Sequence, residues 1–240
     1  MNEVDLLASA EGLSFSQQLE SEMPVAIDLL DESLPWLISI GGLNQRMGMP
    51  VHEFVGVASS LATAHNSLFV RDQTRLWYQK GLPGYAESFV EAGDQVAAIL
   101  DAVSAKRRVA VGSSAGGFAA IGWANQCEFD HVLAFSPQTS ISPRAKLRDR
   151  RWMKFIWKSW VLQDRLLDVA PRALHDGAER VHVVFPNQLK ADSFQAERIE
   201  KHPALVLDGR NSSDHSVVRD LKETGELSQL LLDALSPKLV

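Results

Sequence analysis

The amino-acid sequence predicts an α/β fold, a mostly parallel central sheet with helices on both faces, and three observations predict it. Short apolar runs such as WLISI (36–40) and HVLAF (131–135) alternate with segments of helical spacing. That is the pattern of strands covered on both faces by the helices between them. Length and composition fit one core of this kind, since 240 residues at 45% hydrophobic and 22% charged are ordinary values for a globular domain. Third, Arg108 to Ala119 reads RVAVGSSAGGFA, an apolar run that meets a turn of small residues and then a helix start. No internal repeat, low-complexity tract or linker interrupts the chain, so residues 1–240 read as one domain.

The elements follow in order. Val25 to Leu30 reads as a first strand, leading into a turn at Asp31-Glu32-Ser33. Trp36 to Ile40 is a buried strand ended by Gly41-Gly42, and Arg46 to about Ala64 a weakly amphipathic helix with Met49-Pro50 near its start. Leu68 to Val70 is a second buried strand, stopped at Arg71-Asp72 and followed by a loop carrying Trp77 and Tyr78. From Tyr85 to Val103, Phe89, Val96, Ile99, Leu100 and Val103 recur at helical spacing. Val109 to Val111 and its helix come next, then a strand from His131 to Phe135 closed by Ser136-Pro137. Residues 141–176 hold Trp152, Trp157 and Trp160 and no strand pattern. Strands at Arg180 to Phe185 and Ala204 to Leu207 flank a helix near Ser193 to Glu200. The polar loop DGRNSSDH then leads into a last helix, Val217 to Leu235.

Charge and cysteine content exclude several classes. A net charge of −6 without a concentrated basic patch argues against a nucleic-acid partner. The one basic cluster, Arg144 to Arg151, is interleaved with apolar and acidic residues and reads as a solvated helix face. The single cysteine, Cys127, leaves no internal disulfide. The N-terminus carries acid where a secretory leader needs positive charge, and no apolar run is long enough to span a bilayer. A soluble cytoplasmic protein is the expectation.

In parallel sheets ligands bind beyond the carboxyl ends of the strands, so the informative polar residues are those that follow strand ends. Gly112-Ser113-Ser114-Ala115-Gly116 is a G-x-S-x-G turn, with glycines that leave room for a strained bend. It presents Ser114 as a nucleophile at the start of a helix. A nucleophilic serine needs a base and an acid that orients the base. Of the seven histidines, only His215 follows the last strand in a loop and opens the final helix. For the acid, Asp192 follows the strand ending at Phe185 and is also a good cap for a helix beginning at Ser193. Asp164, Asp168 and Asp208 are its rivals, while Asp214 adjoins His215 too closely to orient it. An oxyanion hole would take the N–H of Ala115 and that of Gly42 or Leu43, where Gly41-Gly42 lets the backbone turn towards Ser114. Trp77, Tyr78 and Gln138 lie just past strand ends and are candidates to line a pocket, the aromatics suiting an acyl chain or a sugar ring or serving as packing. No His/Cys/Asp cluster has ligand spacing, so neither a metal nor a cofactor is expected.

These residues carry a resemblance. Across about residues 25–235 the chain resembles the α/β-hydrolase-fold serine hydrolases, with the nucleophile turn first, the acid after the next-to-last strand and the histidine after the last. FVRDQTRLWYQKG, VGSSAGGFAAI and VLAFSPQT are similar to a branch associated with glycan and polysaccharide loci, related to hydrolase-like accessory secretion proteins. The resemblance implies a Ser-His-Asp triad, an acyl-enzyme and a cap over the site at about residues 141–176. The chain departs from the pattern in having Ala115 where such turns often carry Met, and in lacking a His-Gly pair before the oxyanion loop. The expected function is that of a carboxylesterase-like serine hydrolase acting on a small-molecule ester or an acylated glycan. Acyl transfer to, or deacetylation of, a glycan or another alcohol is the alternative, as is a non-catalytic interaction protein on the same fold. The substrate and the oligomeric state are not written in the spacing.

Overall fold

The computed structural model describes residues 12–21, 23–43, 52–162, 165–172 and 179–236. One seven-stranded sheet organises them: β1 (Val25–Asp28), β2 (Trp36–Ile40), β3 (Asn66–Val70), β4 (Arg108–Ser113), β5 (His131–Phe135), β6 (Arg180–Pro186) and β7 (Leu205–Arg210). The spatial order is β1-β3-β2-β4-β5-β6-β7. Only β1 runs antiparallel, on β3 at the edge, and every other neighbouring pair is parallel. The apolar runs became strands because the middle of the sheet is covered on both sides: every residue of β2, β3 and β5 is buried.

Alternation along the strands sorts the core into two layers. Ile38, Ile40, Ala110 and Val183 face α3 (Phe89–Ala102), α4 (Ala115–Gly122) and α5 (Met153–Trp160). Leu37, Val111, Leu133 and Val184 face the other way. They meet α2 (Val55–Ala58), α7 (Val217–Thr224) and α8 (Glu226–Leu235), with α1 (Phe15–Glu20) packed at the edge. The remaining helix, α6 (Lys190–Ala196), follows β6. The mostly parallel sheet between two helical layers is the architecture expected from the sequence.

Boundaries differ where local chemistry overrode periodicity. The helix expected from Arg46 is present only as the short α2, entered through Phe54 at φ 65°, and residues 46–51 lie outside the described part of the chain. The helix expected from Tyr85 starts at Phe89, because Ser88 caps it by accepting the Glu91 N–H at 3.2 Å. β7 continues past Leu207 through Gly209 to Arg210, paired with β6 along its length. The last helix breaks into α7 and α8 at Gly225, whose φ of 80° a residue with a Cβ rarely adopts. In the segment after β5, Ile156 is fully buried and Trp152 and Trp160 pack on the core with it, one helical turn to either side, while Trp157 faces solvent.

Candidate active site

Ser114 sits between β4 and α4 with φ 52° and ψ −110°, backbone angles that cost an ordinary residue on the order of 1–3 kcal/mol. The surroundings impose them. The Ser114 N–H donates to the Phe135 carbonyl of β5 at 2.9 Å, and its carbonyl accepts the Phe118 N–H at 3.0 Å. Glycine is required on either side: a Cβ on Gly112 would collide with the Gly116 backbone, and one on Gly116 with the Ile40 carbonyl. These contacts also place the segment after β2 directly against the turn, since a Cβ on Gly42 would stand 2.8 Å from the Ser113 carbonyl oxygen.

The fold brings three distant side chains into one chain of contacts. His215 Nε2 lies 3.2 Å from Ser114 Oγ, and His215 Nδ1 lies 3.0 and 3.1 Å from the two carboxylate oxygens of Asp192. Asp192 is wholly buried in the first turn of α6, a helix that starts at Lys190, so Asp192 is not its cap. The histidine loop is anchored by Ser136, whose hydroxyl donates to the His215 carbonyl at 2.7 Å. The rival acids are engaged elsewhere. Asp168 pairs with Arg198 and Asp208 with Arg210, and Asp164 lies outside the described residues. Asp214 accepts from the Ser216 N–H and pairs with Arg219.

Sequence reasoning missed Arg151. It was grouped with a solvated basic face, yet its Nη1 donates to Asp192 at 2.8 Å and approaches His215 Nδ1 to 2.9 Å. The rest of the guanidinium grips Asp149 through Nε at 2.8 Å and Nη2 at 3.0 Å. Asp149 is fully buried, also accepts from Gln195, and has Lys146 3.6 Å away. Burial opposes its charge, but the Arg151 hydrogen bond and the two nearby cations hold the carboxyl down at about 2. One arginine therefore bridges two buried carboxylates and ties the segment after β5 to Asp192. Only the i, i+2 spacing of Asp149 and Arg151 hinted at it.

One expectation needs correction. Trp77, Tyr78 and Gln138 are fully buried and line no open surface. Asp72 explains this: its carboxylate accepts the backbone N–H groups of Thr74, Arg75, Leu76 and Tyr78, winding the loop after β3 inward. Trp77 Nε1 then donates to Gln138 at 2.9 Å, the Tyr78 hydroxyl donates to the Gly41 carbonyl at 2.9 Å, and the Tyr78 ring meets Trp123 edge-on. Of the two candidate donors from the loop after β2, Gly42 sits against the buried Glu53 carboxyl, which draws its N–H, and Leu43 is the one carried forward. Ala115, at the first position of α4, is buried.

No protein-family model matches the chain, and no curated protein matches it in sequence. Solved structures do match. An α/β-hydrolase enzyme from a Medee basin deep-sea metagenome library is similar at 12% identity over 90% of this chain and 95% of that one, with a TM-score of 0.61. The capsule O-acetyltransferase of Neisseria meningitidis serogroup A is similar at 12% identity, covering 85% of this chain and 90% of its own, at 0.60. A monoacylglycerol lipase of Paleococcus ferrophilus is similar at 16% identity, covering 90% and 98%, at 0.54. The chain has the α/β-hydrolase fold. Among the described residues, no helix is long and apolar enough to cross a membrane.

Proposed function

We propose that this α/β-hydrolase-fold chain is a serine hydrolase that cleaves an ester through an acyl-enzyme. The observation that carries the reading is the continuous contact from Ser114 Oγ through the His215 ring to the buried Asp192 carboxylate. In the productive tautomer Nδ1 carries its proton toward the buried Asp192 carboxylate, the Arg151 guanidinium donates to that carboxylate rather than to the ring, and Nε2 offers its lone pair to the serine hydroxyl. Ser114 Oγ attacks the ester carbonyl and its proton passes to His215 Nε2. The oxyanion so formed accepts from the N–H groups of Ala115 and Leu43. Collapse breaks the bond to the leaving oxygen, which takes the proton from Nε2. Water, deprotonated by His215, then releases the acid and frees Ser114.

The test is turnover of a short-chain activated ester by the wild type, Ser114→Ala and His215→Ala. Loss of activity in both variants, with their folds intact, supports the reading, and turnover retained in Ser114→Ala contradicts it. Acyl transfer is the second reading, favoured by the likeness to a capsule O-acetyltransferase. It uses the same acyl-enzyme with a glycan or other alcohol in place of water. Product analysis with and without an acceptor alcohol separates the two.

A further inference from the structure

Glu53 is a buried acid that the mechanism above does not use. It is 4% exposed. One carboxyl oxygen, Oε2, accepts from the Ser113 hydroxyl at 2.8 Å, and the carboxyl also accepts the Gly42 N–H. Its main-chain carbonyl accepts the Ser39 hydroxyl at 2.6 Å, fixing Glu53 to β2. Ser113 immediately precedes the nucleophile, and Gly42 immediately precedes Leu43. A single carboxyl therefore joins the two backbone segments that would supply the oxyanion donors. The first two residues of the loop after β2 are glycines with no side chain to hold them. The Tyr78 hydroxyl fixes that loop on the other side, through the Gly41 carbonyl.

Resting on the hydrolase reading, we propose that Glu53 is a positioning residue, which docks the Gly41–Leu43 loop on the Ser114 turn so that the Leu43 and Ala115 N–H groups converge on one oxygen. Its charge then matters. Burial pushes the Glu53 carboxyl up to about 7, against the pull of the Ser113 and Gly42 hydrogen bonds. Two other titratable groups lie close. Tyr78 stays protonated, because burial and the Asp72 and Glu53 charges push its phenol up. His52, next in the chain, is held neutral by burial, which lowers it to about 4. The neutral Glu53 carboxyl can donate to Ser113 Oγ while still accepting from Gly42. The ionised form keeps both contacts but sets a negative charge beside the forming oxyanion, and turnover falls.

The test is steady-state hydrolysis of p-nitrophenyl acetate on both sides of neutrality by the wild type, Glu53→Ala and Glu53→Gln. Loss of one oxyanion donor costs about 10²–10³-fold, so Glu53→Ala should lose about 10²-fold in kcat with little change in KM. Glu53→Gln, which keeps an acceptor for Gly42 and a partner for Ser113, should restore most of that loss. It should also abolish the decline in kcat expected of the wild type as pH rises through about 7. Unchanged kcat in Glu53→Ala, a loss confined to KM, or the wild-type decline persisting in Glu53→Gln overturns the proposal. If Glu53→Ala does not fold, the Glu53→Gln profile decides. A wild type that neither turns over ester nor reacts with a fluorophosphonate defeats the hydrolase reading itself, whereas an active wild type with indifferent Glu53 variants defeats this inference alone.

Discussion

Two carboxylates near Ser114 have opposite work to do, and their surroundings separate them. Asp192 is charged in the account above, with the Arg151 guanidinium and the His215 ring on either side. Asp192→Asn keeps the shape but favours the wrong imidazole tautomer, so ester turnover should fall on the order of 10³–10⁴-fold, read from kcat at fixed pH. Glu53 is buried with no cation pairing it among the described residues, and its raised pKa links folding to pH. The unfolded carboxyl ionises at the ordinary value of 4.5 and the folded one at about 7. Between those values the folded carboxyl holds the extra proton, so the contribution of Glu53 itself to stability falls as pH rises and levels off above, against the opposite and larger slope of the buried histidines. Thermal melts should show Glu53→Gln gaining on the wild type across that window and keeping the gain at higher pH; a constant difference contradicts the assignment. Ser114 and His215 could be named from the sequence because each follows the carboxyl end of a strand. Glu53 could not, since no motif surrounds it and its meaning comes from Ser113, sixty positions away.

At the level of elements, the site depends on how β4, α4 and the segment after β5 meet. Gly116 lets α4 start against the Ile40 carbonyl, so Gly116→Ala must push apart the two segments that face the nucleophile. Activity should be lost even where circular dichroism shows a folded chain. Arg151 is the comparable contact on the other side. Removing one partner of a buried ion pair typically costs about 3–5 kcal/mol, so Arg151→Ala should lower the melting temperature and the activity together. Arg151→Lys should recover little of either, because an ammonium cannot grip Asp149 with two nitrogens and reach Asp192 as well. An Arg151→Ala variant with wild-type melting and turnover contradicts this. The strands were legible because apolar runs buried on both faces have few other solutions. Helix ends were less so. Ser88 and Gly225 each stopped a periodic pattern by capping or by a positive φ. The Trp77–Tyr78 loop was misread because Asp72, which folds it inward, looked like an ordinary turn residue.

For the whole molecule, the order of segments along the chain was readable and the contacts across it were not. Ser114, Asp192 and His215 come from three separate strand ends, and parallel-strand topology alone delivers them to one edge of the sheet. The Arg151 bridge and the Glu53 link require knowing which loops touch. Buried histidines also set a limit on the acid side. Burial lowers His52 to about 4 and His131 to about 3, both below the ordinary imidazole value of 6.5. The unfolded chain takes up protons there first, so stability should fall as pH drops below about 6.5. The limiting slope is about 1.4 kcal/mol per pH unit for each proton. Denaturant melts at descending pH check this, and His131→Gln should flatten the slope. The central claim is that Ser114 is a nucleophile activated by His215, and covalent labelling with a fluorophosphonate followed by peptide mapping tests it most directly. The account predicts a single label on Ser114 that disappears in His215→Ala. A folded, monodisperse wild type that takes no label, or takes it on another residue, would contradict it.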